Sequence, residues 1–110
     1  RRDSLVLSVH PHHDRGTAHY AAGRFADAIA EYRRAYELEA DPAYLFNIAQ
    51  SYRELGLRDR AIFFYRRYLS SAPNAVNHVQ VEQQVAELEA LETKAAEEAR
   101  AVETPPPRPT

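Results

Sequence analysis

Two segments of this sequence share one pattern: ADAIAEYRRAYEL at residues 26–38 and DRAIFFYRRYLSS at residues 59–71. In each segment an alanine, an isoleucine and a tyrosine follow one another at spacings that place them on one face of a helix. The second segment repeats the first after 33 residues, and a helix that recurs at a fixed interval indicates a structural repeat. The shared positions are Ala28, Ile29, Tyr32, Arg33 and Arg34 in the first segment and Ala61, Ile62, Tyr65, Arg66 and Arg67 in the second.

Glycine and proline residues divide the sequence into blocks of helical periodicity. Gly23 and Gly56 each end a block, and Pro73 closes the block before the last. Asp41 suits the N-cap of a helix whose first residue is Pro42, because the missing N–H of proline costs nothing at that position. The sequence therefore predicts an all-α protein of five antiparallel helices, at about 14–22, 24–39, 42–55 and 59–70, followed by a longer helix that begins near Asn74 or Asn77.

The composition is that of one small globular domain. The chain has 110 residues, of which 45% are hydrophobic and 27% are charged. It contains no cysteine, which excludes disulfides and thiolate metal sites. No apolar run approaches the length of a membrane span, so no direct membrane insertion is expected. The net charge of -2 gives no reason to expect a nucleic-acid partner.

The repeated Tyr-Arg-Arg is interpreted as packing rather than chemistry. Its tyrosines fill a core layer and its arginines lie at the surface. In the first copy, Arg33 has Glu37 one turn later and Arg34 has Glu31 one turn earlier, so the pair is balanced locally. The second pair has no such partners within its helix. We expect arginines of that helix (Arg60, Arg66 or Arg67) to pair with glutamates of the acidic last helix (Glu82, Glu87 or Glu89).

Positions in both copies follow a known repeat pattern. They are Leu45, Ile48, Ala49, Tyr52, Gly56, Ala61, Tyr65 and Pro73 in the second copy, and Gly23, Phe25, Ala28, Tyr32 and Ala35 in the first. Helix-turn-helix units with this pattern resemble the tetratricopeptide repeat (TPR) family. The first helix of the first copy departs from it: His12, Arg15 and His19 replace the large apolar residues, and only Gly16 fits. The sequence is also similar to TPR regions of bacterial, especially myxobacterial-type, multidomain envelope proteins.

The resemblance implies a TPR-like α-α superhelix, with two helix-turn-helix repeats plus a long C-terminal capping helix. Ala90 stands where the turn glycine would recur, which favours a cap over a third repeat. Two repeats and a cap form a small array, so we expect support from flanking sequence of a longer protein or from a homodimer. The expected parts are an N-terminal extension at 1–13, a first repeat at 14–41, a second repeat at 42–74, the capping helix at 75–104 and the start of a Pro-rich linker at 105–110.

TPR proteins bind peptides or partner helices in the concave groove formed by the first helix of each repeat. Asn47 is the main candidate, because in peptide-binding members an asparagine at this place holds the ligand backbone, and an amide both donates and accepts hydrogen bonds. The alternative is that Asn47 only satisfies a neighbouring helix or water. A clamp for a C-terminal carboxylate is not expected, since Gln80, Val81 and Gln84 occupy places where it would need cationic or asparagine side chains. The groove residues that the resemblance implies are Asn47, Phe46, Gln50, Arg53, Tyr20, His13 and Thr17.

The sequence shows no constellation of catalytic residues. Its serines have no neighbouring histidine and acid in a recognised context, and there is no glycine-rich phosphate loop. The segment HPHHD at residues 10–14 is the one cluster that resembles a metal site. Neighbouring residues of a helix point in different directions, whereas zinc requires ligands that converge. We therefore expect no enzyme activity, no metal and no cofactor.

Two functional hypotheses follow. The first is a non-catalytic protein–protein interaction scaffold that binds a protein or peptide in the groove, in the cell envelope or periplasm rather than the cytoplasm. The alternative is a structural spacer or oligomerisation segment of a larger multidomain protein, with no groove ligand. An exposed groove with an unpaired Asn47 favours the first. A groove filled by the N-terminal segment SLVLSVHPHH, or a dimer through the last helix, favours the alternative.

Overall fold

The computed structural model describes residues 10–103, which form five helices and no strand. Two expectations lie outside these residues. One is that the first six residues of the N-terminal segment SLVLSVHPHH help to fill the groove, and the other is the Pro-rich linker at 105–110. Each helix packs against the one before it and the one after it in the chain, so the all-α prediction is confirmed. The helices are α1 (His10–Ala21), α2 (Phe25–Leu38), α3 (Pro42–Glu54), α4 (Arg58–Ser71) and α5 (His78–Glu103).

The two turns inside the repeats have the same backbone geometry. Gly23 and Gly56 have φ angles of 78° and 77°, in the left-handed region where a side chain is strained. In the residue after each glycine the backbone amide bonds back to the helix: Arg24 donates to the carbonyl of His19, and Leu57 donates to the carbonyl of Tyr52. These bonds form a Schellman motif at the end of α1 and again at the end of α3. The sequence repeat is therefore a repeat of turn geometry as well.

The prediction that α1 begins near Asp14 is wrong, because the helix begins at His10. Proline is tolerated in the first turn of a helix, where its N–H would have no partner, so Pro11 does not prevent this earlier start. The His12 ring lies 2.8 Å from a carboxylate oxygen of Glu31 on α2. The His13 ring contacts Tyr32 and Tyr44. Residues 10–13 therefore belong to the first helix of the first repeat.

Helix α1 packs with polar contacts where α3 packs with apolar ones. His12 and Arg15 both contact the carboxylate of Glu31, and His19 accepts a hydrogen bond from Arg24. Glu31 is thus engaged by α1, and the expected local balance with Arg34 is absent. The His12 hydrogen bond, with Arg15 beside it, holds the pKa of Glu31 below its usual range. These ion pairs attach a helix that lacks the large apolar residues of the family pattern.

The core is a layer of small residues and tyrosines between the helices. Ala28, Ala49 and Ala61 are completely buried, which lets the helix backbones approach closely. Tyr32 and Tyr65 fill the space beside them, as the sequence predicts. On the other side of α4, one face of α5 is buried and covers the last repeat; its residues are Val81, Val85 and Leu88.

The acidic helix α5 is paired with α4 through its glutamates. The ion pair between Arg66 and Glu89 is the kind of contact that the sequence predicts. A second pair, Arg58 with Glu92 at 2.8 Å, was not expected. Exposed pairs of this kind contribute only about 0–1 kcal/mol each, so the buried valines and leucine provide most of the contact energy. No helix among residues 10–103 is long and apolar enough to cross a membrane.

Gly16 is the tightest contact between α1 and the rest of the fold. A Cβ atom at this position would lie 2.8 and 2.9 Å from two ring carbons of Tyr32, closer than side chains approach one another. Glycine costs helix stability at this position but allows α1 to lie directly on the tyrosine ring. This explains why Gly16 is the one residue of α1 that follows the family pattern.

Replacing Gly16 with alanine is expected to destabilise the protein by about 1–3 kcal/mol, because the new methyl group forces the buried Tyr32 ring to move. Helix propensity alone would give the opposite sign, a gain of about 1 kcal/mol. Urea unfolding followed by circular dichroism measures the difference. Ala18→Gly, an exposed position of the same helix, is the matched control and should lose about 1 kcal/mol or less. A more stable Gly16→Ala protein would contradict the close contact.

Candidate functional site

Three of the seven residues predicted for the groove surround one small recess. Tyr20 on α1 faces Asn47 and Gln50 on α3 across a space of about 110 Å³. The fourth side chain that lines this recess is Tyr32, which reaches it from α2. The first helices of the two repeats therefore form a shared surface, and residues far apart in sequence meet on it.

The side-chain amide of Asn47 is the polar group that this surface leaves free. Asn47 is partly exposed, and its backbone carbonyl accepts a hydrogen bond from the buried hydroxyl of Ser51. Its side chain makes no hydrogen bond to any residue that the structure describes. An amide that faces a recess without a partner offers a donor and an acceptor to a ligand. This is the arrangement expected of a residue that holds a peptide backbone.

The repeated tyrosines extend to the groove from the second helix of each repeat. The Tyr32 hydroxyl is 3.1 Å from the hydroxyl of Thr17. The Tyr65 hydroxyl donates to the side-chain oxygen of Gln50 at 2.5 Å. In both repeats a buried ring therefore fixes a polar side chain of the groove. The sequence interpretation of these tyrosines as packing alone was incomplete; the signal was the residue type, since a buried tyrosine needs a partner for its hydroxyl.

The oxygen of Gln50 is occupied by Tyr65, which leaves its NH₂ group to face the recess as a donor. Burial raises the pKa of the Tyr65 hydroxyl to about 12, so the hydroxyl stays protonated and continues to donate at neutral pH. Burial also raises the pKa of Tyr20, an effect that the neighbouring Glu54 carboxylate increases and the Arg53 guanidinium opposes. The recess therefore presents neutral donors and one unpaired amide.

The other predicted groove residues lie around this recess in different environments. Phe46 is partly buried, with its ring 6.0 Å from that of Tyr65 and 5.3 Å from that of Tyr68. His13 lies near the start of α1 against Tyr32 and Tyr44, and Thr17 is exposed. Phe46 and His13 thus have a packing role besides any role in binding.

Arg53 borders a second recess, of about 300 Å³, between α3 and α5. Its guanidinium is 3.5 Å from the carboxylate of Glu54, while its buried Nε has no hydrogen-bond partner among the described residues. Gln84 on α5 lines the same recess, and its buried side-chain oxygen has no partner there either. This second recess therefore has an unpaired polar atom on each side, from α3 and from α5.

His12 and His13, the two adjacent histidines of the HPHHD segment, contact different neighbours. His12 is directed to Glu31 and His13 contacts Tyr32 and Tyr44. Within the described residues, no group of three or more histidine, cysteine, aspartate or glutamate side chains could hold a metal ion.

Stacked helix pairs with one face formed by their first helices define an α-solenoid. Two family models, each for a tetratricopeptide repeat, match the sequence at residues 9–41 and 42–75. Together they span more than half of the 110-residue chain, so the protein belongs to the tetratricopeptide repeat family. The first match includes the polar helix α1 that departs from the usual pattern. A search of curated proteins found no significant match.

Replacing Tyr65 with phenylalanine is expected to lower the free energy of unfolding by about 0.5–1.5 kcal/mol at neutral pH, because it removes the hydrogen bond to Gln50. The raised pKa adds a dependence on alkaline pH. An unfolded tyrosine ionises near 10 and Tyr65 near 12, so its contribution is complete below pH 10 and is lost as the pH rises through 12. Denaturant unfolding from pH 8 to 12 tests this.

The phenylalanine variant should lose less stability than the wild type over the alkaline range. Tyr36→Phe is the matched control, since the Tyr36 hydroxyl makes no hydrogen bond to a described residue. Equal alkaline losses in wild type and Tyr65→Phe would show that the Tyr65 hydroxyl is not buried as described.

Proposed function

We propose that this protein is a non-catalytic interaction module that binds an extended peptide or a partner helix of another protein in its concave groove. TPR proteins in general mediate protein–protein interaction. The observation that supports a ligand here is the unpaired amide of Asn47, which lines a recess together with Tyr20 and Gln50.

The arrangement suggests how a peptide is held. The Asn47 amide donates to a peptide carbonyl and accepts from the next peptide N–H, so it recognises the backbone without selecting a sequence. The free NH₂ group of Gln50 offers a further donor one helical turn along α3. Tyr20 and Phe46 supply apolar surface for ligand side chains, and Arg53 with Gln84 extends the polar surface toward α5. His13 and Thr17 border the opposite end.

The central prediction is that Asn47→Ala weakens peptide binding at least about tenfold, because two hydrogen bonds to the ligand backbone are lost. Peptides are first selected for binding to the wild-type protein from a random phage-displayed library. Their affinities for wild type and variant are then measured by isothermal titration calorimetry. The free energy of unfolding should change by no more than about 0.5 kcal/mol, since the Asn47 side chain is partly exposed and makes no hydrogen bond to a described residue.

Asn74→Ala is the matched control, because Asn74 is an exposed asparagine between α4 and α5, outside the recess. Its substitution should leave peptide affinity unchanged. If Asn47→Ala binds the selected peptides as tightly as the wild type, Asn47 is not part of the site. If the library yields no binding peptide, the proposed groove function is wrong.

A homodimer through α5 is a second candidate, and one observation favours it. Leu91 is 49% exposed and Val102 is 84% exposed on the same helix, beyond the residues that cover α4. Sedimentation velocity of the wild type and of Leu91→Ser tests this arrangement. A dimer that the substitution dissociates supports it, and a monomer across the concentration range rejects it.

We further propose that the module is a scaffold in a bacterial cell envelope, as part of a multidomain protein. This placement is supported by the sequence resemblance alone. Immunodetection in fractionated cells tests it, and recovery only in the cytoplasmic fraction would reject it.

A further inference from the structure

The convex side of the array carries arginines stacked on aromatic rings. The guanidinium of Arg33 on α2 lies 5.6 Å from the ring centre of Phe64 on α4. The guanidinium of Arg67 on α4 lies 5.9 Å from the ring centres of Tyr36, Phe63 and Phe64. Both side chains are exposed, and cations over aromatic faces are attracted to the ring by about 0.5–1 kcal/mol at such sites, which favours these positions of the two guanidinium groups.

Neither of these arginines forms an ion pair with a residue in the described range. Arg66, next to Arg67, differs in this respect because it pairs with Glu89. A guanidinium that stacks through its face keeps its edge N–H groups for other partners, and two of them fit a carboxylate side by side. Arg33 and Arg67 are therefore donors whose N–H groups are not taken up by an ion pair among residues 10–103.

The same surface exposes a large aromatic side chain beside two recesses. Phe63 is 56% exposed, although its ring packs edge-on against the buried Phe64. A recess of about 480 Å³ lies along α4 and is lined by Phe63, Arg66 and Arg67 among others. A second, of about 280 Å³, lies between α2 and α4 and is lined by Arg33, Phe64 and Arg67. Because both recesses share Arg67, they form one continuous surface.

The charge on this side is opposite to that of the whole chain. The chain has a net charge of -2, yet the lining of the two recesses holds three arginines, Arg33, Arg66 and Arg67, against two acids, Glu37 and Asp59. Arginine together with exposed aromatic rings is the composition of binding hot spots in protein interfaces.

We propose that the surface formed by Arg33, Phe63 and Arg67 is a second interaction site, which binds an acidic peptide segment carrying a large apolar side chain. The two stacked guanidinium groups bind carboxylates, and the apolar side chain enters the recess beside Phe63. The site lies on the second helices of the repeats, whereas the proposed groove lies on the first helices. The two proposed sites can therefore be tested independently of each other.

A peptide fits this surface better than a nucleic acid or a lipid does. The surface has no lysine and includes Glu37 and Asp59, so it is not the uniform cationic face that follows a phosphate backbone. The paired features are instead a planar donor and an apolar recess, repeated along α2 and α4. That combination matches a carboxylate and an apolar residue close together on one chain.

The experiment measures fluorescence anisotropy of a fluorescein-labelled, glutamate-rich peptide with one central phenylalanine. The probe should bind the wild-type protein, and its affinity should fall as salt is added. The double variant Arg33→Gln with Arg67→Gln should bind the probe at least about tenfold more weakly than the wild type, since charge-assisted hydrogen bonds are lost. Phe63→Ser should also lower the affinity for the probe. It should not change the affinity for a second probe in which the phenylalanine is replaced with alanine.

Arg34→Gln is the matched control: it removes the same charge from α2, next to Arg33, but Arg34 lies over no ring of the described residues. It should change affinity by no more than about twofold, because an exposed charge acts only at long range. Arg67→Lys should be intermediate, because it keeps the charge and loses the planar fork. Asn47→Ala should not affect this probe, which separates the result from that of the groove.

Several results would overturn the proposal. They are no measurable binding of the probe, equal losses in Arg34→Gln and in the double variant, and tighter binding of single-stranded DNA or of anionic vesicles than of the probe. A dimer at low salt that the double variant abolishes would assign the surface to a second copy of the chain instead. Circular dichroism of each variant confirms that it is folded.

Discussion

The structure depends on one contact that occurs in both repeats, a buried tyrosine between the two helices of a pair and the next helix. Tyr32 and Tyr65 are 4% and 0% exposed, and each directs its hydroxyl toward the concave surface. The rings fill the space that the neighbouring alanines leave, so they hold the helices at a fixed separation. The hydroxyls then bind Thr17 and Gln50, and in this way packing in the core determines where the polar groups of the groove lie.

This contact also explains how the first helix packs without the apolar residues of the family pattern. Helix α1 has histidines and an arginine where the family pattern has apolar residues, yet it packs closely because Gly16 lies on the Tyr32 ring. The contact of His12 with Glu31 and the ion pair of Arg15 with Glu31 add attachment at the surface. Helix α1 can therefore form one wall of the recess, with Tyr20 facing Asn47 and Gln50 of α3, although α1 contributes little to the apolar core.

The repeat period and the turn glycines were sufficient to predict the fold, because Gly23, Gly56 and Pro42 each have one backbone role that the residue type determines. The start of α1 could not be read in the same way. The residues after Pro11 are polar, and their attachment to the fold rests on contacts of His12 and His13 with other helices, which a local sequence pattern does not reveal. For the groove, the helical spacing placed Asn47 and Gln50 on one side of α3, but the hydroxyl partners depend on how helices far apart in sequence meet. The stacking of Arg33 and Arg67 on rings was missed for the same reason, since a local pattern of charges predicts ion pairs instead.

Backbone recognition is proposed for the concave side, and the most direct test is to locate the residues of the protein that a bound peptide perturbs. Side-chain amide signals in ¹⁵N–¹H NMR spectra report on asparagine and glutamine residues individually. On titration with a peptide selected by the wild-type protein, the signals of Asn47 and Gln50 should shift and those of Asn74 should stay in place. Shifts that are confined to the convex helices α2 and α4, with Asn47 unchanged at saturation, would contradict the account.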